Sequence, residues 1–427
     1  MEEKISLPQK YSVFHIVDAL VPSFLALAPL CLLSIRGWTN IFFFLLLLCS
    51  FIQLARTPSS FSLQGEGRTA RWIMAAMASP LLAVIAAQLL RGQLQLTLMD
   101  GPSRPFLAIV LFIYLLHTPI DFVRLLEWCI PFSLLILACF LWVHPYGFIN
   151  IETERFGTTA IDPLTLGQYA TLFGLICLFT FNIYGKDNTI LKILKITGIA
   201  ISIWISIGTG SRSGWVALPV LLILWLLVIH RAHNSKKLFL TLFGFIIFGI
   251  ATYQFIPTVH DRISSVRSEY TAYISGGKLD TSTGLRISLA RVAGTLFLEH
   301  PFAGYGDMHY PALSNISAIS PFYTAQLEDT FVRAGVHNEI LQNALRSGIF
   351  GIFSGILMFA VPGIVFFRGS YSIAPQKRAA GLVGLCYIVA VFCFSLSTET
   401  FNLKYTVSFY ALMVSALAAQ VLRPQPV

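Results

Sequence analysis

The sequence predicts an all-α polytopic membrane protein, and three observations carry that reading. Of the 427 residues, 56% are hydrophobic and only 11% charged, whereas soluble domains are about 25% charged; the mean hydropathy is +0.74. Apolar runs of about 18 residues or more recur along the whole length, and each is long enough to cross a bilayer as a helix. Lysine and arginine are unevenly shared between alternate connecting segments, as the positive-inside rule requires of a multi-pass chain.

About twelve spans follow from these runs: 13–34, 39–55, 72–90, 105–120, 126–145, 164–184, 193–210, 214–230, 238–256, 345–367, 381–398 and 405–422. The first follows a polar start, "MEEKISLPQK", with no small-residue cleavage pattern, so it reads as a retained helix rather than a signal peptide. The second and fourth are short, which fits small tilt or partial re-entry. With the N-terminus inside, sixteen lysines and arginines fall in cytoplasmic segments, among them Arg124, Lys195 and Lys377. Only six fall in the short outer loops: Arg36, Arg91, Arg104, Arg155, Arg212 and Lys404. Both termini are therefore expected in the cytoplasm. The formal charge of +9 is then mostly a basic rim that sets topology, and calls for no nucleic-acid partner. The seven cysteines lie in or next to spans without C-x-x-C spacing, so neither a disulfide nor a zinc site is expected.

One connection is far longer than the rest. Three regions are expected: spans one to nine (1–256), an outer loop domain (257–336), and spans ten to twelve (337–427). A loop of that length is expected to be structured and functional. Within it, "TGLRISLARVAGTLFLEHP" reads as an amphipathic helix, capped by Thr283 and closed by Pro301, with Leu285, Leu289, Val292, Leu296 and Leu298 on its apolar side.

Three places combine polar side chains with a membrane boundary: Arg212 in "GTGSRSGW", Arg286 in "GLRISLAR", and His337-Asn338 in "GVHNEILQNALRSG". An arginine fork keeps its charge and matches phosphate oxygens. Small residues around Arg212 would let a bulky anion approach the backbone. "GTGSRSG" lacks the G-x-x-x-x-G-K-[ST] spacing of a nucleotide loop, and Arg212 alone also reads as an interfacial anchor. Arg291 is a further cation of this face, but lies about 140° around the helix from Arg286; the two are expected on different faces, with Arg291 the structural one. Asn338, Gln342 and Arg346 recur at helical spacing, a polar stripe that is costly at a membrane. Asp307 and His309 in "DMHY" offer two metal ligands without partners, so no metal site is expected.

The order of these motifs resembles the O-antigen ligase family, within the larger superfamily of O-antigen ligases and polymerases. The likeness covers about 200–360: "GSRSGW", then "GLRISLAR" with a following "P-x-x-G-x-G" element, then "HNEILQNALRSGIFG". It implies a GT-C-like glycosyltransferase with about twelve spans, a large periplasmic loop between the ninth and tenth, and a site facing the periplasm from a Gram-negative inner membrane. It places the family's functional arginines on Arg212 and Arg286 and its catalytic histidine on His337; beside these, Asn338 is a candidate to orient the ring or a substrate hydroxyl, and Arg291 is kept as a further candidate substrate contact. The implied donor is an undecaprenyl diphosphate-linked glycan and the implied acceptor lipid A–core oligosaccharide. Membrane lipids would surround both, and neither cofactor nor nucleotide is required. An O-antigen polymerase, a protein O-oligosaccharyltransferase, and less favourably a lipid-linked sugar transporter remain alternatives; a transporter would concentrate charge near the midplane.

Overall fold

A computed structural model describes residues 13–56, 67–143, 155–158, 161–229, 235–306 and 310–424. Fifteen α-helices and no strand occur among them: α1 (Val13–Cys31), α2 (Trp38–Arg56), α3 (Gly67–Arg91), α4 (Asp100–His117), α5 (Phe122–Val143), α6 (Pro163–Phe179), α7 (Thr189–Thr209), α8 (Arg212–Ile229), α9 (Ser235–Phe255), α10 (Pro257–Ile274), α11 (Ser282–Glu299), α12 (Ala325–Ala334), α13 (Glu339–Gly369), α14 (Pro375–Ser395) and α15 (Lys404–Leu422). Each of the twelve predicted spans overlies one of these helices. Eight are long and apolar enough to cross a bilayer: α2, α3, α4 with the 3-10 turn before it, α5, α7, α13, α14 and α15. The apolar stretches of α1, α6, α8 and α9 are shorter.

The bundle is built around its last two helices. In α14 and α15, 83% and 94% of the most apolar stretch is buried inside the protein, so these apolar residues face other helices rather than lipid. A single core joins α1 to α8 with α13, α14 and α15. α9 stands apart: its packing is chiefly against α10, and Phe239, Phe243, Ile247 and Phe255 are exposed, as suits a lipid-facing helix.

Lys195, counted among the cytoplasmic rim charges, is fully buried. Its Nζ lies 2.5 Å from Glu127 Oε1, 3.0 Å from Asp187 Oδ2 and 2.8 Å from the Thr180 carbonyl. The cluster ties α5, α7 and the α6–α7 connection together. Removing one partner of a buried ion pair leaves an uncompensated charge and costs about 3–5 kcal/mol. Lys195→Met is therefore expected to lower the thermal unfolding midpoint of the detergent-solubilised protein sharply. An unchanged midpoint would mean that water reaches Glu127 and Asp187.

Residues 257–336 carry three helices where the sequence showed one. α11 is the amphipathic helix, and Leu289, Val292 and Leu296 join Leu313, Phe322, Leu327, Phe331 and Leu345 in a second, smaller core. Two sequence details are corrected. Leu298, expected on the apolar side, is exposed. The cap is Thr281, whose side chain accepts from the Gly284 amide, because Thr283 turns its amide and hydroxyl to Glu269 instead. The "P-x-x-G-x-G" element docks on a break in α13 at Ser347 and Gly348. There the Tyr305 amide donates to the Leu345 carbonyl at 2.7 Å and the Ile349 amide to the Pro301 carbonyl at 2.8 Å.

Candidate active site

The stretch "GTGSRSG" joins α7 to α8. Gly210 ends α7 in the left-handed region, φ 56°, and Arg212 opens α8. The small neighbours of Arg212 pack against α6. A Cβ on Gly167 of α6 would overlap Thr209 and Ser211. Ser211 and Ser213 are buried, Ser211 donating to the Leu164 carbonyl and Ser213 accepting from Gln168. Close approach of α6 and α8 thus fixes where Arg212 leaves the bundle.

From there Arg212 reaches α10. Its Nη1 donates to Ser265 Oγ at 3.3 Å and its Nη2 to Glu269 Oε1 at 3.5 Å. Glu269 is braced by Thr283 at the start of α11. Burial raises this carboxyl's pKa, but Thr283 and Arg212 outweigh burial and hold it below the ordinary value. Arg286 follows one turn further along α11, with Ser282 Oγ at 3.4 Å from its Nη1. Burial, then the like charge of Arg212, lower its pKa, though a guanidinium stays protonated at any physiological pH.

Arg212, Arg286 and Arg291 line one open cleft of about 680 Å³, whose other walls include Val216, Val266, Ile287, Ala290, Cys393 and Leu396. This corrects the expectation for Arg291. Thr283, Arg286, Ile287, Ala290 and Arg291 all line the cleft, so the two arginines bracket one lining face instead of pointing apart. Arg291 still differs in its contacts: its Nη1 donates to Tyr273 at 3.3 Å, and its guanidinium lies 5.0 Å from the centre of the Phe322 ring. Cations held beside apolar walls suit an anion attached to a hydrocarbon chain.

His337 follows the far end of the loop and does not itself line the cleft; its neighbour Asn338 bonds Leu396, which does. The φ of His337 is 52°, left-handed and rare for a residue with a side chain. It precedes the helix: α13 begins at Glu339, and Asn338 is the N-cap, its Oδ1 accepting from the Ile340 and Leu341 amides at 3.1 Å each. The Asn338 Nδ2 donates to the Leu396 carbonyl at 3.2 Å. Asn338 is thus engaged at both ends as a cap and a tie. His337 is half-buried. Burial first, then Arg286, push its pKa below 6.5, with Asp162 opposing. Arg286 therefore feels Arg212 and in turn acts electrostatically on His337. Gln342 and Arg346 lie elsewhere: both are buried, Gln342 accepting from the Val336 amide at 3.4 Å and Arg346 donating to Asn402 at 3.4 Å. The polar stripe faces protein, which removes its cost without a substrate.

Sequence reasoning missed four charged residues here. Arg155 Nε donates to the Thr209 carbonyl at 2.6 Å; burial, then the charges of Arg262, Arg212 and Arg286, lower its pKa, with Asp162 opposing. Glu269 and Glu399 are held by contacts distant in sequence, which no local spacing announces. The Arg262 guanidinium lies beside Gly210. Glu399 is buried, and its pKa is raised to about 7 by burial and by Glu339, against Arg346 and the amides of His337 and Val336. Asp307 and His309 fall outside the described residues. Among the described residues no three His, Cys, Asp or Glu side chains gather as metal ligands would.

Residues 197–356 match the family model described as O-antigen ligase. That segment runs from within α7 into α13 and contains Arg212, Arg286, Arg291, His337 and Asn338. An uncharacterized protein of Haemophilus influenzae is similar over 294 residues at 24% identity, covering 68% of this chain and 71% of its own.

Proposed function

We propose that this chain, which belongs to the O-antigen ligase family through its segment 197–356, joins O-antigen polysaccharide from undecaprenyl diphosphate to a sugar hydroxyl of lipid A–core oligosaccharide. The observation that supports the reading is one cleft lined by Arg212 and Arg286 with apolar walls, together with a histidine whose pKa is lowered by burial and then by Arg286. In this reading the twelve helices overlying the predicted spans cross a Gram-negative inner membrane, with both termini cytoplasmic and α10 to α12 in the periplasm. The diphosphate lies against the two guanidinium groups and the prenyl chain leaves along the apolar walls. Arg291 and Asn338 act at the edge, Arg291 on the glycan or diphosphate and Asn338 through the backbone it caps.

The reaction is a displacement. The acceptor oxygen attacks the anomeric carbon as its proton passes to the His337 imidazole, and the bond from that carbon to the diphosphate oxygen breaks. The diphosphate departs on its lipid, and the arginines stabilise the charge that develops there. A single displacement inverts the anomeric configuration. The phosphoester linkage supplies the driving force, so no nucleotide is consumed.

Two outcomes follow. His337 has to be neutral to accept a proton, and its pKa lies below 6.5. Transfer is therefore expected to hold steady as pH falls to about 6.5, the ordinary histidine value, and to decline only below it. An acid limb centred above 6.5 would point to another base. Because guanidinium groups face the diphosphate, activity is expected to survive thorough chelation with EDTA; loss restored by Mg²⁺ or Mn²⁺ would bring a metal into the mechanism. The test of the reading itself is reconstitution in vesicles with purified lipid-linked glycan. A joined product only when lipid A–core is present supports ligation. Longer lipid-linked chains from donor alone would make the protein a polymerase.

A further inference from the structure

The connection between α14 and α15, residues 396–403, crosses directly behind His337. Glu399 Oε1 accepts from the His337 amide at 3.2 Å, while the neighbouring Val336 amide donates to Gln342 Oε1 at 3.4 Å. The Glu399 Oε2 accepts from Asn402 Nδ2 at 2.9 Å. Two ties run the other way. Glu339 Oε2 accepts from the Phe401 amide at 2.8 Å, and Asn338 Nδ2 donates to the Leu396 carbonyl. Residues 337–339 and 396–401 are thus laced together by carboxylate and amide groups from both sides.

This lacing falls where the backbone is least at ease. Gly335 has φ 70° and ψ −152°, a combination open essentially to glycine, and His337 has φ 52°. A Cβ on Gly335 would overlap the Glu399 carboxylate, so the glycine is what lets the acid reach the His337 amide. A left-handed histidine persists only where its surroundings over-determine it, and a buried side-chain oxygen that accepts its backbone amide is a constraint of that kind.

We infer that Glu399 is a positioning residue: through the backbone amide of His337 it holds the His337 imidazole in place. It is not itself the proton acceptor. It is buried, its two oxygens are taken by the His337 amide and by Asn402, and Gly335 lies against it. The charges facing it are Glu339 and Arg346, both on α13, and Arg346 offsets the repulsion between the two acids. The catalytic part of this inference rests on the transferase reading; the structural part does not.

The test compares purified full-length protein with Glu399→Asp, Glu399→Ala and Glu399→Gln. Glu399→Asp keeps the charge but draws it back from the amide, which protects the test should the alanine variant misfold. Amide hydrogen exchange at 335–338 is expected to quicken at least about ten-fold in the aspartate and alanine variants, with α6 and α14 unchanged. Carbethoxylation of His337 by diethyl pyrocarbonate, read by peptide mass spectrometry against the other eight of the nine histidines, is expected to change rate with it. Transfer kcat should fall by about 10–100-fold with the donor KM nearly constant, since misplacement by about 1 Å can cost 10²-fold. Glu399→Gln, whose carbonyl still accepts an amide, should recover much of both losses. Unchanged exchange at 335–338 in Glu399→Asp, or a raised donor KM at constant kcat, would overturn the inference. If wild-type protein transfers nothing, the function fails while the exchange and modification arms still decide whether Glu399 holds His337.

Discussion

His337→Ala is expected to lower transfer by about 10²–10⁴-fold, the ordinary contribution of a general base, with donor binding nearly intact. The argument is local. His337 is half-buried, and burial and Arg286 both favour its neutral form. A neutral imidazole next to guanidinium groups is a poor ligand for an anion but a ready acceptor for a hydroxyl proton. As the proton moves, the imidazolium forms close to a diphosphate that is gaining charge, so the two changes offset each other. His337→Gln keeps a hydrogen-bonding side chain without a basic nitrogen and should fail to a similar degree. Rates under saturating donor and donor affinity, measured on the same preparations, check this. If His337→Ala abolished donor binding while bound donor still reacted normally, the histidine would be a diphosphate ligand.

Arg286→Ala is expected to cost about 10²–10³-fold in transfer, the range found when one donor to a developing oxyanion is removed, with weaker donor binding besides. Arg286 is the better probe of the pair. Arg212 is tied to Ser265 and Glu269, so Arg212→Ala also strands an acid on α10 and mixes stability with function. Among the described residues Arg286 holds only a 3.4 Å hydrogen bond to Ser282. Arg286→Lys should rescue poorly, because an ammonium is a point charge without the planar fork. A second readout comes with it. Arg286 lowers the His337 pKa, so Arg286→Ala should move the acid limb of whatever activity remains towards higher pH. A normal rate with an unmoved limb would separate Arg286 from both substrate and histidine.

Much of the fold was legible because the bilayer imposes a length and a composition on each crossing segment. Every predicted span overlies a helix, including the 19-residue α2 and the 18-residue α4. α10 and α12 were not foreseen, since "PTVHDRISSVRSEYTAYI" and "AQLEDTFVRA" are too polar and mixed to show a span-like period. Within the site, charge at a membrane boundary made Arg212, Arg286 and His337 visible. What their neighbours do was not visible. The glycines and serines beside Arg212 answer to α6, and Gln342 and Arg346 answer to segments distant in sequence. Angular spacing alone separated Arg286 from Arg291, yet a cleft wall takes in an arc wide enough for both. Glu269 and Glu399 were unreadable for a related reason: a single acid in a polar segment carries no local signal, and its meaning lies in amides and hydroxyls brought to it by the fold.

The central claim is that Arg286 and His337 serve one reacting centre. The most direct measurement is a cycle of single-turnover transfer rates, with saturating donor, for wild type, Arg286→Ala, His337→Ala and the double variant. Groups that act together on one transition state lose less jointly than the product of their separate losses. The double variant is therefore expected to react only slightly more slowly than the worse single variant. Fully multiplicative losses would contradict the account and assign the two residues to independent sites.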